Sequence, residues 1–182
     1  DLPISTDLRE NGIRDFCFVD EDELWIGSYS GILRKRGQQE FLLTEENGLP
    51  ADDVRRIRKD SRGLIWVATR SGGLFKFKDR ELDHVYNTDN GLKTNYVMCI
   101  QEDRDGNIWI GTNGGGISRI DPDGSVKTIQ LFDDPSGILV FNIYCHENND
   151  LYLATNVGIF RYDGHEFMEI MIRSTSQNDT FF

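Results

Sequence analysis

The sequence predicts an all-β fold, a β-propeller segment of four four-stranded antiparallel blades, and three observations support this prediction. A short apolar block recurs around an aromatic residue at Trp25, Trp66, Trp109 and Tyr152. These four residues are 41, 43 and 43 positions apart along the chain. Each is flanked by apolar stretches rich in Ile, Val, Phe and Tyr that end at Gly, Asp, Asn or Pro. Repeated four-stranded units of about 40–45 residues are typical of β-propellers.

The repeat divides the chain into four units, at about residues 7–44, 45–88, 89–133 and 134–173. Residues 174–182 are expected to begin a further unit or to form a tail, and residues 1–6 to end a preceding one. Because a single four-stranded sheet cannot bury both of its faces, the units are expected to stack against one another. The chain is therefore predicted to be a piece of a longer propeller.

The first strand of each unit leads into a tight turn, written DSRG at 60–63 and DRDG at 103–106. Asp at the start of such a turn and Gly at its left-handed position are the residues that a short hairpin requires. The first unit has DEDE at 20–23, and the fourth has ENND at 147–150. These two turns are expected to differ in detail without changing the sheets.

The second strand carries the aromatic residue and, two positions later, a small residue: Gly27, Ala68, Gly111 or Ala154. A small residue in a strand predicts the close approach of a neighbouring element, here the next blade. The aromatic residues are expected to fill the space between blades.

A basic residue recurs in the third strand, at Arg34, Lys76, Arg119 and Arg161. A ring of charges facing a channel is one interpretation. Pairing with acidic groups, or lying along the blade edge, is the interpretation that we favour.

Composition excludes several functions. The net charge of −11 argues against a nucleic-acid partner, because such proteins need a concentrated basic surface. No apolar run reaches the roughly 20 residues of a membrane helix. The three histidines lack metal-ligand spacing, so neither a metal nor a cofactor is expected. The three cysteines, Cys17, Cys99 and Cys145, lie in apolar stretches and are expected in the core.

Two units carry a resemblance to a known family. The segments NGLPADDVRRIRKDSRGLIWVATRSGGLFKF and NGLKTNYVMCIQEDRDGNIWIGTNGGGISRID resemble the two-component regulator propeller repeat. This resemblance implies the periplasmic sensor region of a Bacteroidetes hybrid two-component system, whose parent protein carries a membrane span, a histidine kinase and a DNA-binding module. It also implies a glycan-derived ligand. None of the kinase, receiver or DNA-binding motifs occurs in these 182 residues.

Candidate ligand residues are those that change from unit to unit where the scaffold does not dictate them. At the hairpin between the second and third strands these are Tyr29, Arg70, Asn113 and Asn156, and before the first strands they are Asp53 and Asn95. Arg14 and Phe141 lie at corresponding positions. Loops on a rigid scaffold commonly bind ligands, although polar residues at hairpins are also simple turn formers.

The sequence therefore predicts a non-catalytic sensor segment, with a propeller-type glycoside hydrolase or lyase fragment and a protein-interaction platform as alternatives. Asp53 is the one carboxylate among the candidate residues, which is too few for two-carboxylate glycoside hydrolysis. The expected partners are an oligosaccharide and either further blades or a second copy of the chain. Contact with a membrane is expected only through the parent protein.

Overall fold

The computed structural model describes residues 12–130 and 135–170. Within these ranges the chain forms sixteen strands in four sheets, each with its strands in sequence order. The predicted fold class, four four-stranded antiparallel blades, is confirmed. The expectations for residues 1–6 and 174–182 fall outside the described residues. No helix in the described ranges is long and apolar enough to cross a membrane.

Blade 1 consists of β1 (Ile13–Phe18), β2 (Glu23–Ser28), β3 (Gly31–Arg36) and β4 (Gln39–Leu43). Blade 2 consists of β5 (Val54–Lys59), β6 (Ile65–Thr69), β7 (Leu74–Lys78) and β8 (Glu81–Tyr86). Blade 3 consists of β9 (Val97–Glu102), β10 (Ile108–Thr112), β11 (Ile117–Ile120) and β12 (Val126–Ile129). Blade 4 consists of β13 (Val140–Cys145), β14 (Leu151–Thr155), β15 (Gly158–Tyr162) and β16 (Phe167–Glu169). A short 3-10 helix, Glu45–Asn47, connects blades 1 and 2.

The first strands of consecutive blades pack against each other in the order β1, β5, β9, β13, so they form the inner layer of the segment. Each pair of consecutive blades encloses one apolar cluster. Strands β1 and β13 make no comparable contact with each other among the described residues. The four blades therefore form an open arc.

The tryptophans lie inside these clusters, with Trp25 0%, Trp66 2% and Trp109 3% exposed. Tyr152 is only half-buried. The small residues on the same strands make room for the next blade: a Cβ on Gly27 would lie 2.4 Å from Val54 Cγ1, and one on Gly111 would lie 2.5 Å from Val140 Cγ1. Both expectations, buried tryptophans and close approach of the next blade at the small residue, are confirmed.

The acidic residues of the predicted turns accept hydrogen bonds both from the turn backbone and from the tryptophan side chains. Asp60 Oδ1 accepts hydrogen bonds from the backbone of Arg62 and Leu64, while its Oδ2 accepts one from Trp66 Nε1 at 3.0 Å. Asp103 does the same for Trp109 at 2.7 Å. In blade 1 this acceptor is Glu23, 2.7 Å from Trp25 Nε1. A buried indole N–H thus always has an acidic partner, supplied from a different position in blade 1.

The turn glycines adopt the expected left-handed conformation, with φ of +84° at Gly63 and +78° at Gly106. In blade 4 the same position is occupied by Asn149, with φ of +71°. Asn tolerates this conformation better than other residues with a side chain. The departure from the repeat in the fourth unit therefore leaves its sheet intact.

The recurring basic residue is paired in all four blades. Its partners are Glu23 for Arg34 (3.4 Å), Asp83 for Lys76 (2.6 Å), Asp121 for Arg119 (2.6 Å) and Asp150 for Arg161 (2.6 Å). The expected pairing with acidic groups is confirmed. The partner occupies the same repeat position in blades 1 and 4, two residues before the aromatic residue, and different positions in blades 2 and 3.

The cysteines differ from the prediction that all three are core residues. Cys99 is buried, and burial raises the pKa of its thiol to about 12. Cys17 and Cys145 are only partly buried, at the margins of the clusters. Both lie towards the ends of their strands, β1 and β13, on the side of the sheet that packs against the neighbouring blade.

Candidate functional site

One end of the four sheets is formed by the second hairpin of each blade and by the segments that lead into the inner strands. We call this end the mouth. The lead-in segments of blades 2, 3 and 4 each accept backbone hydrogen bonds of 2.8–3.1 Å from the hairpin of their own blade and from that of the preceding blade. The bonds run to residues 52–53 from Gly31 and Arg70, to residues 95–96 from Gly73 and Asn113, and to residues 138–139 from Gly114 and Asn156. The mouth is thus a continuous hydrogen-bonded surface across all four blades.

The inner strand of every blade has the same irregularity next to the mouth. Its pairing with the second strand skips one residue, so that residue has no direct partner. The skipped residues are Arg14, Arg55, Met98 and Phe141, none of them buried. Bulges of this kind redirect a side chain away from the sheet. The fold therefore presents one side chain per blade at the mouth without specifying its type.

Arginines at the mouth contact tyrosine rings. The guanidinium carbon of Arg14 lies 3.9 Å from the centroid of Tyr29. Arg55 and Arg70 lie 5.0 Å and 5.6 Å from the centroid of Tyr96, and Arg55 also donates a hydrogen bond to the Tyr96 hydroxyl. Attraction between a cation and an aromatic face holds each guanidinium in place.

Asp53 lies beside this group with incomplete hydrogen bonding. Its Oδ2 is 3.9 Å from Arg70 Nη1, which is too long for a hydrogen bond. Its Oδ1 is buried and has no hydrogen-bond partner. Asp52, the preceding residue, instead accepts a hydrogen bond from the backbone N–H of Glu45. Asp53 is therefore the carboxylate that accompanies the mouth arginines, and it holds Arg70 only loosely.

The candidate residues divide into two groups in the structure. Tyr29, Arg70 and Asp53 lie in the arginine and tyrosine contacts just described. Asn95 and Asn156 use their side chains to hold loops: Asn95 Oδ1 accepts from Thr88 N–H at 2.9 Å, and Asn156 Oδ1 accepts from Leu139 N–H at 2.8 Å. Asn113 bonds to the lead-in segment of blade 3 through its backbone.

Sequence reasoning did not select Arg55 and Tyr96. Arg55 occupies the repeat position of Arg14, so the alignment of units contained a signal for it. The contact between Arg55 and Tyr96 joins residues 41 positions apart, from neighbouring units. Such a contact depends on how two blades pack, which the sequence of one unit does not contain.

A cleft of about 390 Å³ lies on blades 1 and 2 at the end opposite the mouth. It is a weaker candidate for a ligand site. Its cations are neutralised by neighbouring carboxylates: Arg80 pairs with Glu23 and Asp20, and Arg34 with Glu23. Because the ion pairs of Arg80 also join blade 2 to blade 1, we assign this cleft a structural role.

The blades and their inner layer define the chain as a β-propeller segment. Within it, residues 48–71 and 91–114 match the family described as Two component regulator propeller. The resemblance of the second and third units to this repeat is confirmed.

Solved structures of similar fold include extracellular and enzymatic proteins. The extracellular domain of a proposed hybrid two component system from B. thetaiotaomicron is 24% identical, with a TM-score of 0.74 over 89% of this chain and 22% of that one. A catalytically inactive virginiamycin B lyase from Staphylococcus aureus, with quinupristin, is 19% identical, with a TM-score of 0.67 over 91% of this chain and 57% of that one. PorZ of Porphyromonas gingivalis, a surface component of the type-IX secretion system, is 16% identical, with a TM-score of 0.61 over 82% and 25% of the two chains.

At these identities the likeness shows a shared fold. The chain spans about a fifth of the length of the two-component system domain. The search of curated proteins found no match.

Proposed function

We propose that this chain is a non-catalytic, ligand-binding part of the periplasmic region of a two-component sensor, and that it binds an oligosaccharide at the mouth. The recurring bulge is the observation that carries the proposal. All four blades keep the same bulge, yet the residue in it changes from Arg to Met to Phe. A backbone feature that is repeated while its side chain varies is suited to recognition on a rigid scaffold.

The chemistry of the mouth supports binding rather than catalysis. Hydrolysis of a glycosidic bond commonly needs two carboxylates at a set separation. Asp53 lies beside the arginines, whereas the carboxylate of the neighbouring Asp52 accepts a hydrogen bond from the backbone N–H of Glu45. Arginine and tyrosine side chains provide fixed hydrogen-bond donors and flat surfaces, which bind sugars and their substituents without activating water.

The repeat match and the two-component system neighbour support placing the segment in a sensor. In this proposal the parent protein supplies the membrane anchor, the histidine kinase and further blades. A ligand at the mouth contacts hairpins and lead-in segments of neighbouring blades, because these are joined by backbone hydrogen bonds. A bound ligand can therefore contact side chains of two neighbouring blades at once.

The test is calorimetric titration of the protein with oligosaccharides from plant and host polysaccharides, together with chromatography of the same mixtures. We expect heat of binding for at least one oligosaccharide and no released product. Product that disappears on Asp53→Ala would instead identify a hydrolase or lyase. An absence of binding to every glycan, with capture of a protein domain, would favour an interaction platform.

A further inference from the structure

We infer that the ligand of the mouth is an acidic oligosaccharide, one whose sugar ring carries a carboxylate or a sulfate, and that Arg55 and Arg70 bind this anionic group. The inference rests on the proposed function and specifies its ligand. It is carried by the juxtaposition of two guanidinium groups on one tyrosine ring, where Asp53 is the only carboxylate within 4 Å of either arginine among the described residues.

The charge of the mouth arginines contrasts with that of the rest of the molecule. The chain has 31 acidic and 20 basic residues, so carboxylates are in excess. Most cations elsewhere in the described residues have a carboxylate within 4 Å, among them Arg34, Arg36, Arg62, Arg80, Arg119 and Arg161. In the same ranges Arg14 and Arg55 have no such partner, and Arg70 has only Asp53 at 3.9 Å. Among the described residues, the arginines that contact tyrosine rings at the mouth are thus less neutralised than most other cations of this acidic protein.

The tyrosines orient these arginines for an incoming anion. A guanidinium held over an aromatic ring has one face covered, while N–H groups along its edge can still donate to a ligand. Arg55 uses one of these N–H groups on the Tyr96 hydroxyl and keeps the others for a ligand. The planar fork of arginine matches a carboxylate or sulfate with two parallel hydrogen bonds. Because Tyr96 already restricts Arg55 and Arg70, less side-chain entropy is lost when they bind.

The two arginines come from different parts of blade 2 and meet on a residue of blade 3. Arg55 is the bulge residue of β5, Arg70 lies in the hairpin between β6 and β7, and Tyr96 lies in the lead-in segment of β9. Asp53 is the opposing charge at this point, and one of its oxygens is buried. Arg56, whose Nη1 donates to the carbonyl oxygen of Arg55 at 2.8 Å, adds a further positive charge nearby. The balance of charge at the junction of blades 2 and 3 is positive.

The experiment compares matched oligosaccharides by calorimetry: galacturonate against galactose oligomers of equal length, and sulfated against unsulfated galactose oligomers. We expect binding of at least one acidic member and at least tenfold weaker binding of its neutral partner. The carboxylate and sulfate arms separate the two sources of negative charge. Raising the salt concentration from about 0.05 to 0.5 M should weaken the binding, because screening shortens the reach of charge interactions.

Variants locate the anionic group. Arg55→Ala and Arg70→Ala should each weaken binding about tenfold or more, the effect of losing a hydrogen bond to a charged group. Arg70→Lys, which keeps the charge and loses the planar fork, should give an intermediate affinity. Lys78→Ala is the matched control: it removes one positive charge at the opposite end of blade 2 and should leave the affinity unchanged. Melting temperatures verify that each variant is folded.

The outcomes separate this inference from the proposed function. Equal affinity for acidic and neutral oligomers would overturn the acidic ligand and leave an oligosaccharide sensor. Acidic binding that survives both arginine substitutions would also overturn it, because the anion would then be held elsewhere. Failure of every oligosaccharide to bind would overturn both.

Discussion

At the scale of single residues, the blades are held by acids that serve two elements at once. Asp60 and Asp103 close their own turns and also accept the indole N–H of the buried tryptophan of the following strand. Leaving a buried N–H without an acceptor is costly, so turn and core depend on each other. In blade 4 the equivalent aromatic residue is Tyr152, which has no indole N–H and is less buried. The aromatic position therefore contributes unequally to stability along the chain.

Replacing Trp109 by Ala should lower the free energy of unfolding by about 3–5 kcal/mol, the range for large buried aromatic residues. The indole fills the space between blades 3 and 4, and its removal leaves a cavity beside Val140 and Ile143. Tyr152→Ala, the matched change at the half-buried position, should destabilise less. Urea unfolding followed by circular dichroism measures both, and wild-type stability of Trp109→Ala would show that the assigned repeat register is wrong.

Glu23 should make stability depend on acid pH. Its burial acts to raise the pKa of its carboxyl, but hydrogen bonds from Trp25 and Arg80 outweigh burial and lower that pKa. A carboxylate whose folded pKa is below its unfolded value stabilises the protein above the unfolded pKa, and this stabilisation is lost as the pH falls through the folded pKa. We therefore expect Glu23→Gln to be less stable than wild type at neutral pH.

The difference between wild type and Glu23→Gln should shrink below about pH 4, near the ordinary pKa of a glutamate. Denaturant titrations from neutral pH down to about pH 3 measure this difference. Glu81→Gln, at an exposed position on β8, is the control and should behave as wild type. A difference that stays constant with pH would contradict the assigned role of the carboxylate.

At the scale of the element, the second strand sets the distance between blades. It places a small residue where the inner strand of the next blade comes closest, and the structure leaves no room for a methyl group at Gly27 or Gly111. Pairs of strands in one sheet are held by backbone hydrogen bonds, whereas the blades are held mainly by this side-chain packing. The small size of one residue per blade thus determines how closely neighbouring blades can pack.

Gly111→Ala should destabilise the protein by about 1–3 kcal/mol, the usual effect of overpacking. The new Cβ would lie 2.5 Å from Val140 Cγ1 and 2.6 Å from Cys99 Sγ, so both neighbours must move. Lys78→Ala is the control, because Lys78 is exposed on β7 and lies away from the contacts between blades, and its effect should stay within about 0.5 kcal/mol. Thermal unfolding measures both, and equal melting temperatures would refute the steric account.

The architecture could be predicted from the sequence because the same pattern of strands and turns recurs in all four units. Burial of Trp66 and Trp109, the left-handed turn glycines and the close approach at Gly111 all follow from residue type and position within one unit. The candidate site was only partly predictable. The bulge is a property of how two strands pair, and Arg55 meets Tyr96 only because two blades are adjacent. Asn95 and Asn156 were selected by type, yet their side chains hold loops.

At the scale of the whole molecule, the arc ends in two complementary faces. Val54 and Ile57 pack on Gly27 and Trp25 of the preceding blade. Their counterparts in blade 1, Ile13 and Phe16, are 58% and 59% exposed. On blade 4 the counterparts of the small and aromatic residues, Ala154 and Tyr152, are likewise incompletely covered, with Tyr144 and Met168 exposed beside them.

We propose that the 182-residue chain by itself associates with a second copy, blade 1 of one copy against blade 4 of the other. The pairing repeats the packing seen between consecutive blades, and exposed apolar faces of this kind favour association. Sedimentation velocity at increasing protein concentration should show a dimer or a larger assembly. A monomer at all concentrations would overturn the proposal.

Phe16→Glu should shift that assembly toward monomer, because it places a charge on the proposed contact face. Phe41→Glu is the control: Phe41 is similarly exposed, but it lies on β4 beside the cleft between blades 1 and 2. Sedimentation of both variants at one concentration gives the comparison. Equal dissociation by the two substitutions would place the contact elsewhere.

Because of the bulge in the inner strands, the residues that stabilise the fold and the residues proposed to determine ligand specificity occupy different positions. A residue without a cross-strand partner and outside the core can be exchanged with little effect on folding free energy, because surface changes of this type usually alter stability by about 0.5 kcal/mol or less. Arg14, Arg55, Met98 and Phe141 occupy such positions in one chain, side by side on the same scaffold. A propeller of this design can acquire a new specificity one blade at a time while its tryptophans, turn acids and small residues stay as they are.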